Sequence, residues 1–241
     1  MHILQIINDY NHTRVHENLV KNLDVFKIKQ SVFVPVKNEV YIGNNEFVFQ
    51  TISSIYSYSS KLRKSHRFLY KSKLRLLIKD IELSIDLTKV DLMHASTLFS
   101  DGGVAYELYK KYGIPYIIAV RNTDLYTFYK YRKDLIPYGR RILKHASKVV
   151  FISKANRNYF ENSTFLSSRL INDKSITLNN GIDDFWLENI VPYRAHAKEV
   201  FNALYVGRFD SNKNVLMLID AVHKFNNLSS GGITIHLNLV G

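Results

Sequence analysis

Short runs of β-branched and aromatic residues alternate along the chain with stretches in which apolar residues recur every three or four positions. The first pattern predicts β-strands and the second predicts amphipathic helices, as where Val15, Leu19 and Leu23 fall on one helical face. Strands separated by helices indicate βαβ units, so the sequence predicts an α/β fold with a doubly wound, mostly parallel sheet. The predicted strands cover residues 3–7, 31–36, 47–52, 90–94, 116–120, 148–152 and 175–178.

A second alternation of the two patterns begins after residues 183–200, which show no strand periodicity. It consists of a predicted strand at 203–206, a helix at 215–225 with Asn214 as its N-cap, and a strand at 233–240. One βαβ unit of about 40 residues cannot bury its own hydrophobic faces, so we expect this second domain to be incomplete. The predicted organisation is a first domain at 1–184, a linker at 185–200 and the start of a second domain at 201–241.

The composition narrows the class of protein. None of the 241 residues is cysteine, which excludes disulfides, thiolate zinc sites and cysteine nucleophiles. The first ten residues lack the pattern of a signal peptide, and no apolar run approaches the roughly 18 residues of a membrane span. We therefore expect a soluble, cytoplasmic protein. Its net charge of +12 indicates an anionic partner, such as a phosphorylated ligand, a nucleic acid or a membrane surface.

The stretch from Lys61 to Lys79 contains eight basic residues and no acidic one, with apolar residues interleaved. This pattern predicts an amphipathic helix with an apolar stripe and cationic flanks. Such a helix either packs its stripe on the sheet and exposes an ordinary charged face, or contacts anionic lipid or a lipid-diphosphate acceptor. We favour the anion contact, and with it a peripheral position on the inner face of the membrane. A second basic concentration runs from Lys130 to Lys148.

The segment GRFDSNKN at residues 207–214 combines a strand end, a glycine, two cations and a helix start. Gly207 permits close approach to the backbone, and Arg208 and Lys213 with the helix N-terminus suit a diphosphate. Spacing alone also fits a solvated basic loop.

This segment resembles the G-R-x-x-x-x-K-[NG] signature of the retaining glycosyltransferases of family 4, which have the GT-B architecture. Four further segments resemble that family's motifs in order and spacing. They are DLMHA followed by DGGVAY within 91–106, KYGIPYIIAVRNTD at 111–124, VVFIS at 149–153 and NNGID at 179–183.

The resemblance implies two Rossmann-like domains facing a cleft, with the acceptor on the first and a nucleotide-sugar donor mostly on the second. It implies transfer of the sugar, with retention of configuration, to a cell-surface polysaccharide or lipid-linked glycan, without a metal or another cofactor. Gly207, Arg208 and Lys213 would bind the donor diphosphate, whose charge grows as the glycosidic bond breaks. The catalytic residue is not identified. Other candidates for the cleft are Arg14, His94, Ser96, Arg121, Asn122, Asp124, Asn180 and Gly181.

The chain also departs from the family pattern. The loop at residues 8–14 lacks the usual glycines, although Arg14 supplies a charge there, and Ser96 replaces a histidine. The segment expected to contact the donor sugar would lie beyond Gly241, so we expect negligible transfer by the 241-residue chain alone. One alternative is therefore a truncated, non-catalytic relative that binds an acceptor or partner. A basic nucleic-acid-binding protein is another, but no stacking motif or helix-turn-helix pattern supports it, and nucleic acid is not expected.

Several single polar residues have two interpretations each. His12 and His16 have the i,i+4 spacing of metal ligands, but no carboxylate pair completes a site, and we expect no metal. His94 is either a cleft residue at a strand end or a satisfied structural histidine. Asp101 is interpreted as a cap of a helix at 102–112, and for Asp124 capping and acceptor binding are evenly balanced.

Overall fold

The computed structural model describes residues 1–163, 171, 173–192, 200–211, 213–228 and 232–241. The chain divides into two compact units, Met1–Glu188 and Asn189–Gly241. Residues 193–199 of the predicted linker lie outside the described residues, so the predicted domain boundaries stay predictions. No helix within the described ranges is both long and apolar enough to cross a membrane.

The first unit is built on a seven-stranded sheet in which every neighbouring pair is parallel. This confirms the predicted α/β class with a doubly wound sheet. The chain builds the sheet outward from its first strand in one direction, then crosses back and builds in the other, which opens a crevice at the carboxyl ends of the two central strands. The spatial order is β3 (Ile55–Ser59), β2 (Lys29–Pro35), β1 (His2–Ile6), β4 (Leu92–Ala95), β5 (Tyr116–Val120), β6 (Lys148–Phe151) and β7 (Ser175–Thr177).

Helices connect the strands and cover both faces of the sheet. Along β2, Val32 and Val34 pack in one apolar cluster and Phe33 packs in the other, because successive strand residues point to opposite faces. Gly113 ends the third helix with φ of 74°, a conformation that favours glycine, as its position before a proline predicts. The helices are α1 (Arg14–Val25), α2 (Tyr70–Ser84), α3 (Ser100–Tyr112), α4 (Tyr129–Tyr131), α5 (Ile136–His145), α6 (Lys154–Glu161) and α7 (Asp184–Glu188).

The strand predicted at 47–52 is wrong, and β3 follows it instead. Phe47 and Phe49 alternate as they would in a strand, but both rings pack on Tyr56 of β3 from a loop. The carboxylate of Asp24 in α1 accepts hydrogen bonds from the backbone of Gln50 (2.7 Å) and Thr51 (2.9 Å). These backbone groups therefore bond to a side chain rather than to a neighbouring strand.

The single helix predicted from Lys61 to Lys79 is also wrong. A 3-10 turn occupies Lys64–Arg67, and α2 begins only at Tyr70. Asp80 lies just beyond the basic stretch and pairs with Lys61 at 2.6 Å. At least one of the basic side chains therefore has an acidic partner. The apolar stripe of α2 is buried on the sheet, as the ordinary packing interpretation predicts.

The second unit has a smaller parallel sheet in its described residues. Its two strands are β8 (Val200–Val206) and β9 (Thr234–Val240), and α8 (Val215–Leu228) connects them. The predicted helix and strands are present. β8 and α8 extend beyond their predicted bounds, and β9 begins one residue later than predicted. Asn214 precedes α8 with φ of 50°, and its amide contacts Met217 Sδ.

Candidate functional site

The carboxyl ends of the parallel strands form one edge of the sheet in the first unit, which we call the carboxyl edge. The segments that follow β1, β4, β5 and β7 all lie along this edge, because the strands share one direction. It therefore collects the site residues predicted in the first unit. They are Arg14, His94, Ser96, Arg121, Asn122, Asp124, Asn180 and Gly181.

Arg121 connects three of these segments. Its Nε donates to the backbone oxygen of Ser96 after β4 at 2.8 Å, and its Nη1 donates to Asn180 Oδ1 after β7 at 3.3 Å. Burial lowers the pKa of Arg121, while attraction to Asp9, Asp101 and Asp124 opposes that shift. Arg121 thus places a partly buried positive charge among acidic groups at the crevice.

Asp124 is buried and bonded to backbone amides. Its carboxylate accepts hydrogen bonds from the N–H groups of Leu98 (3.0 Å), Phe99 (3.1 Å) and Arg121 (3.0 Å). Burial raises the pKa of Asp124 to about 6, against the effect of these bonds. This geometry joins the loop before α3 to the end of β5. It fits a structural role rather than acceptor binding. Two of the three bonded amides, those of Leu98 and Phe99, precede α3 rather than the helix that follows Asp124.

Asp101 does not cap a helix, contrary to prediction. The helix α3 begins at Ser100, and the Asp101 carboxylate accepts bonds from the side chains of Ser96 (2.7 Å), Thr97 (2.9 Å) and Asn8 (2.9 Å). Burial raises the pKa of Asp101, and the bond from Ser96 opposes the shift. The predicted cleft residue Ser96 is likewise buried, with its hydroxyl bonded to Asp101.

His94 belongs to a buried row of polar side chains across three strands. Its Nδ1 lies 2.6 Å from Gln5 Oε1, and the Gln5 amide donates to Gln30 Oε1 at 3.0 Å. Gln30 in turn donates to the backbone oxygen of Val20 in α1. Burial lowers the pKa of His94 to about 3, so the ring is neutral in the folded protein at neutral pH. This geometry fits the interpretation as a satisfied structural histidine.

The buried His94 predicts a loss of stability in acid. Its pKa is about 3 in the folded protein and 6.5 when unperturbed, so only the unfolded chain binds this proton as the pH falls below 6.5. Between pH 7 and 4.5 the wild type should therefore lose about 2 kcal/mol more unfolding free energy than a His94→Asn variant, whose amide can still donate to Gln5. Urea denaturation at both pH values measures the difference, and parallel losses in the two proteins would contradict it.

An open pocket of about 360 Å³ lies between the start of α1 and the segment after β7. Arg14 and Gly181 line it together with Phe185 and Trp186. The Thr13 hydroxyl caps α1 by accepting from Val15 N at 3.3 Å. A cation beside the positive end of a helix suits an anionic ligand. Asn122 and Asn180 lie exposed at the same edge, unlike the buried candidates.

The two spaced histidines do not face a common ligand. His12 lies in a 3-10 turn and its ring contacts Tyr41, whereas His16 bonds through Nε2 to Asp9 Oδ1 at 2.8 Å. In the described part of the chain, no group of three or more metal-ligating side chains is found. Asp9 itself was not a predicted site residue, although its position directly after the first strand is where such residues collect.

In the second unit, the predicted diphosphate residues lie in the loop between β8 and α8. Arg208 is 85% exposed at its side chain, and its Nη2 lies 3.3 Å from Asp210 Oδ2. The backbone N–H of Lys213 donates to Asp210 O at 3.1 Å, so Asp210 contacts both residues. Gly207 follows β8 directly, and a Cβ there would lie 3.0 Å from the Tyr205 hydroxyl. The donor role of these residues stays a prediction.

Comparison of the folds with solved structures gives matches over the whole chain. Arabidopsis thaliana UGT89C1 complexed with UDP-L-rhamnose is 11% identical with a TM-score of 0.56, over 100% of this chain and 69% of the other. The glycotransferase of kitacinnamycin is 11% identical with a TM-score of 0.53, over 99% and 65%. UDP-N-acetylglucosamine 2-epimerase is 12% identical with a TM-score of 0.54, over 99% and 68%. The chain thus spans about two thirds of each of these structures, and at such identities the likeness shows the fold alone.

Sequence comparison is more specific. The search of curated proteins gives no match. The family model for Glycosyltransferase Family 4 matches residues 14–184, which is more than half of the chain and includes most of the carboxyl edge. The chain therefore belongs to Glycosyltransferase Family 4, and its fold is the α/β, Rossmann-like GT-B type.

Proposed function

We propose that the protein transfers a sugar from a nucleotide-sugar donor to a cell-surface polysaccharide or lipid-linked glycan, with retention of configuration and without a metal or other cofactor. The first unit receives the acceptor. Arg208 and Lys213 of the second unit bind the donor diphosphate and stabilise the charge of the departing nucleoside diphosphate.

One observation carries this proposal: the family match covers the unit whose strand order opens the crevice. Ligands of open α/β sheets bind at this position. The fold does not decide the reaction, since an epimerase shares it. The family match favours transfer over epimerisation.

The deciding assay uses a protein that carries a complete second domain. It is incubated with a panel of UDP-, GDP-, ADP- and dTDP-sugars, with and without polyprenyl-diphosphate-linked sugars as acceptors. Acceptor-dependent release of nucleoside diphosphate supports transfer, and NMR of the product gives the anomeric configuration. Epimerised donor without a new glycoside would replace the proposal by an epimerase function. Full activity only in the presence of a chelatable metal ion would contradict the metal-free mechanism.

We further propose that the carboxyl edge contacts an anionic membrane through the segment before α2. Phe68 is 76% exposed and Leu69 is 57% exposed, between cations. The hydroxyl of Tyr70 donates to the backbone oxygen of Phe99, which follows β4, so this segment lies at the carboxyl edge. Exposed apolar side chains among cations fit a lipid interface with negative headgroups. Within the described residues, no acidic side chain pairs with Arg63, Lys64, Lys71 or Arg75.

Replacing both Phe68 and Leu69 by serine should reduce binding to vesicles of anionic phospholipid about tenfold or more, because two apolar side chains no longer enter the interface. Co-sedimentation with anionic and with zwitterionic vesicles measures the effect. The matched control replaces Val25 and Phe26, an equally exposed apolar pair at the opposite edge of the sheet, by serine. Equal binding by both double variants, or equal binding to both vesicle types, would contradict membrane contact through this segment.

A further inference from the structure

Three aspartates lie at the carboxyl edge near β1, β4 and β5. They differ in how many hydrogen bonds their carboxylates accept from other protein groups. The oxygens of Asp101 and Asp124 accept bonds from protein groups, and both side chains are buried. The side chain of Asp9 is 41% exposed. Among the described residues, its Oδ1 is bonded to His16 and its Oδ2 accepts no hydrogen bond from another residue. Asp9 is therefore the one of these three carboxylates that can accept a bond from a ligand.

His16 holds Asp9 from the protein interior. The His16 side chain is 1% exposed, and its Nε2 lies 2.8 Å from Asp9 Oδ1. With a single ring proton, that proton must lie on Nε2, since two facing acceptors would repel each other. Asp9 occupies the N-cap position of the 3-10 turn Tyr10–His12, yet its side chain makes no capping bond. The carboxylate is thus directed to His16 and the crevice rather than used to end the turn.

The charge of Asp9 is maintained by its surroundings. Burial opposes its ionisation, but the hydrogen bond from His16 and the positive charge of Arg121 outweigh this and lower its pKa. A permanent carboxylate repels the diphosphate of a nucleotide sugar, whereas it accepts strong hydrogen bonds from neutral hydroxyl groups. Its position after β1, in the crevice at the switch point, is where a ligand of this sheet is expected.

We infer that Asp9 binds a hydroxyl group of a sugar or polyol acceptor in the first unit, and that the buried His16 is a positioning residue that fixes the Asp9 carboxylate. This inference rests on the proposed function. One oxygen, Oδ1, is held by His16, and the other, Oδ2, accepts the hydrogen bond from the acceptor. The pair orients the acceptor without contacting the donor diphosphate.

The test separates acceptor binding from donor binding. Asp9→Asn should lower kcat/KM for the acceptor about ten- to a hundredfold, the effect of losing one hydrogen bond to a charged group. The KM for the donor and the slow hydrolysis of the donor without acceptor should remain unchanged. Asp86→Asn is the matched control, because Asp86 is a well-exposed carboxylate just before β4, at the opposite edge of the sheet.

The His16 variants test the positioning role. His16→Gln keeps an N–H group able to reach Asp9 and should retain more acceptor kcat/KM than His16→Leu, while donor hydrolysis is equal in both. Circular dichroism and donor hydrolysis identify variants that keep their fold. Unchanged acceptor kinetics in Asp9→Asn, or an equal loss of donor hydrolysis and transfer, would overturn the inference while wild-type transfer still supports the proposed function. Absence of any transfer by the wild-type protein with a complete second domain would overturn both.

Discussion

Replacement of Asp124 by alanine is expected to lower the free energy of unfolding by about 3–5 kcal/mol, since it leaves the buried N–H groups of Leu98, Phe99 and Arg121 without an acceptor. Asp124→Asn should lose less, because one amide oxygen can still accept from Leu98 and Arg121, which share Oδ2 in the wild type. Urea denaturation followed by circular dichroism measures the series.

Asp134→Ala is the matched control for this prediction. Asp134 pairs with Arg132 at 2.8 Å, but its side chain is largely exposed, so its removal should cost at most about 1 kcal/mol. An Asp124→Ala protein as stable as the control would show that water replaces the carboxylate at no cost. That result would contradict the structural role assigned to Asp124.

Arg208→Ala and Lys213→Ala are each expected to lower the turnover of nucleotide sugar about 10²- to 10³-fold, with a smaller effect on donor affinity. The reason is that the cations stabilise charge that grows only as the bond to the diphosphate breaks. Steady-state kinetics with varied donor separate the two effects. Arg208→Lys should recover part of the loss, because it keeps the charge but not the planar fork of the guanidinium.

Lys224→Ala controls for the loss of a positive charge in the second unit, since Lys224 is exposed on α8. Its turnover should match the wild type. If both loop variants also kept wild-type kinetics, the diphosphate would have to bind elsewhere. The pocket beside Arg14 would then become the first candidate.

The fold could be predicted because every strand of the seven-stranded sheet except β3 carries a recognisable local pattern. The predicted strand at 116–120 has the observed bounds, and those at 3–7 and 148–152 are displaced by one residue or less at each end. The strand predicted at 47–52 failed because its amides bond to Asp24, a partner over twenty residues away. The single helix predicted for the basic stretch is wrong for a related reason. Its charge pattern is compatible with a helix, but it does not determine that the helix begins only at Tyr70.

The location of the candidate site could be predicted better than the availability of its residues. Position after a parallel strand places Ser96, His94 and Asp124 at the carboxyl edge, but it does not reveal that their polar atoms are bonded inside the protein. Whether a polar side chain at this edge can bind a ligand depends on which neighbours already bond to it. These neighbours come from other segments of the chain. The Asp9–His16 pair shows the same limit, since their spacing of seven residues indicates neither the contact nor the exposed oxygen.

The row formed by His94, Gln5 and Gln30 has a consequence for how the strands find their partners during folding. Gln5 lies directly opposite His94 across β1 and β4, and most other residues of these central strands are apolar and buried. Hydrophobic burial alone distinguishes poorly between alternative alignments of such strands. A shift of β4 by one residue would place His94 opposite Leu4 or Ile6. It would leave the His94 ring and Gln5 Oε1 without each other as partners, at a cost of about 1–3 kcal/mol for each buried group. The polar row therefore stabilises the observed register of β1 and β4 relative to shifted registers.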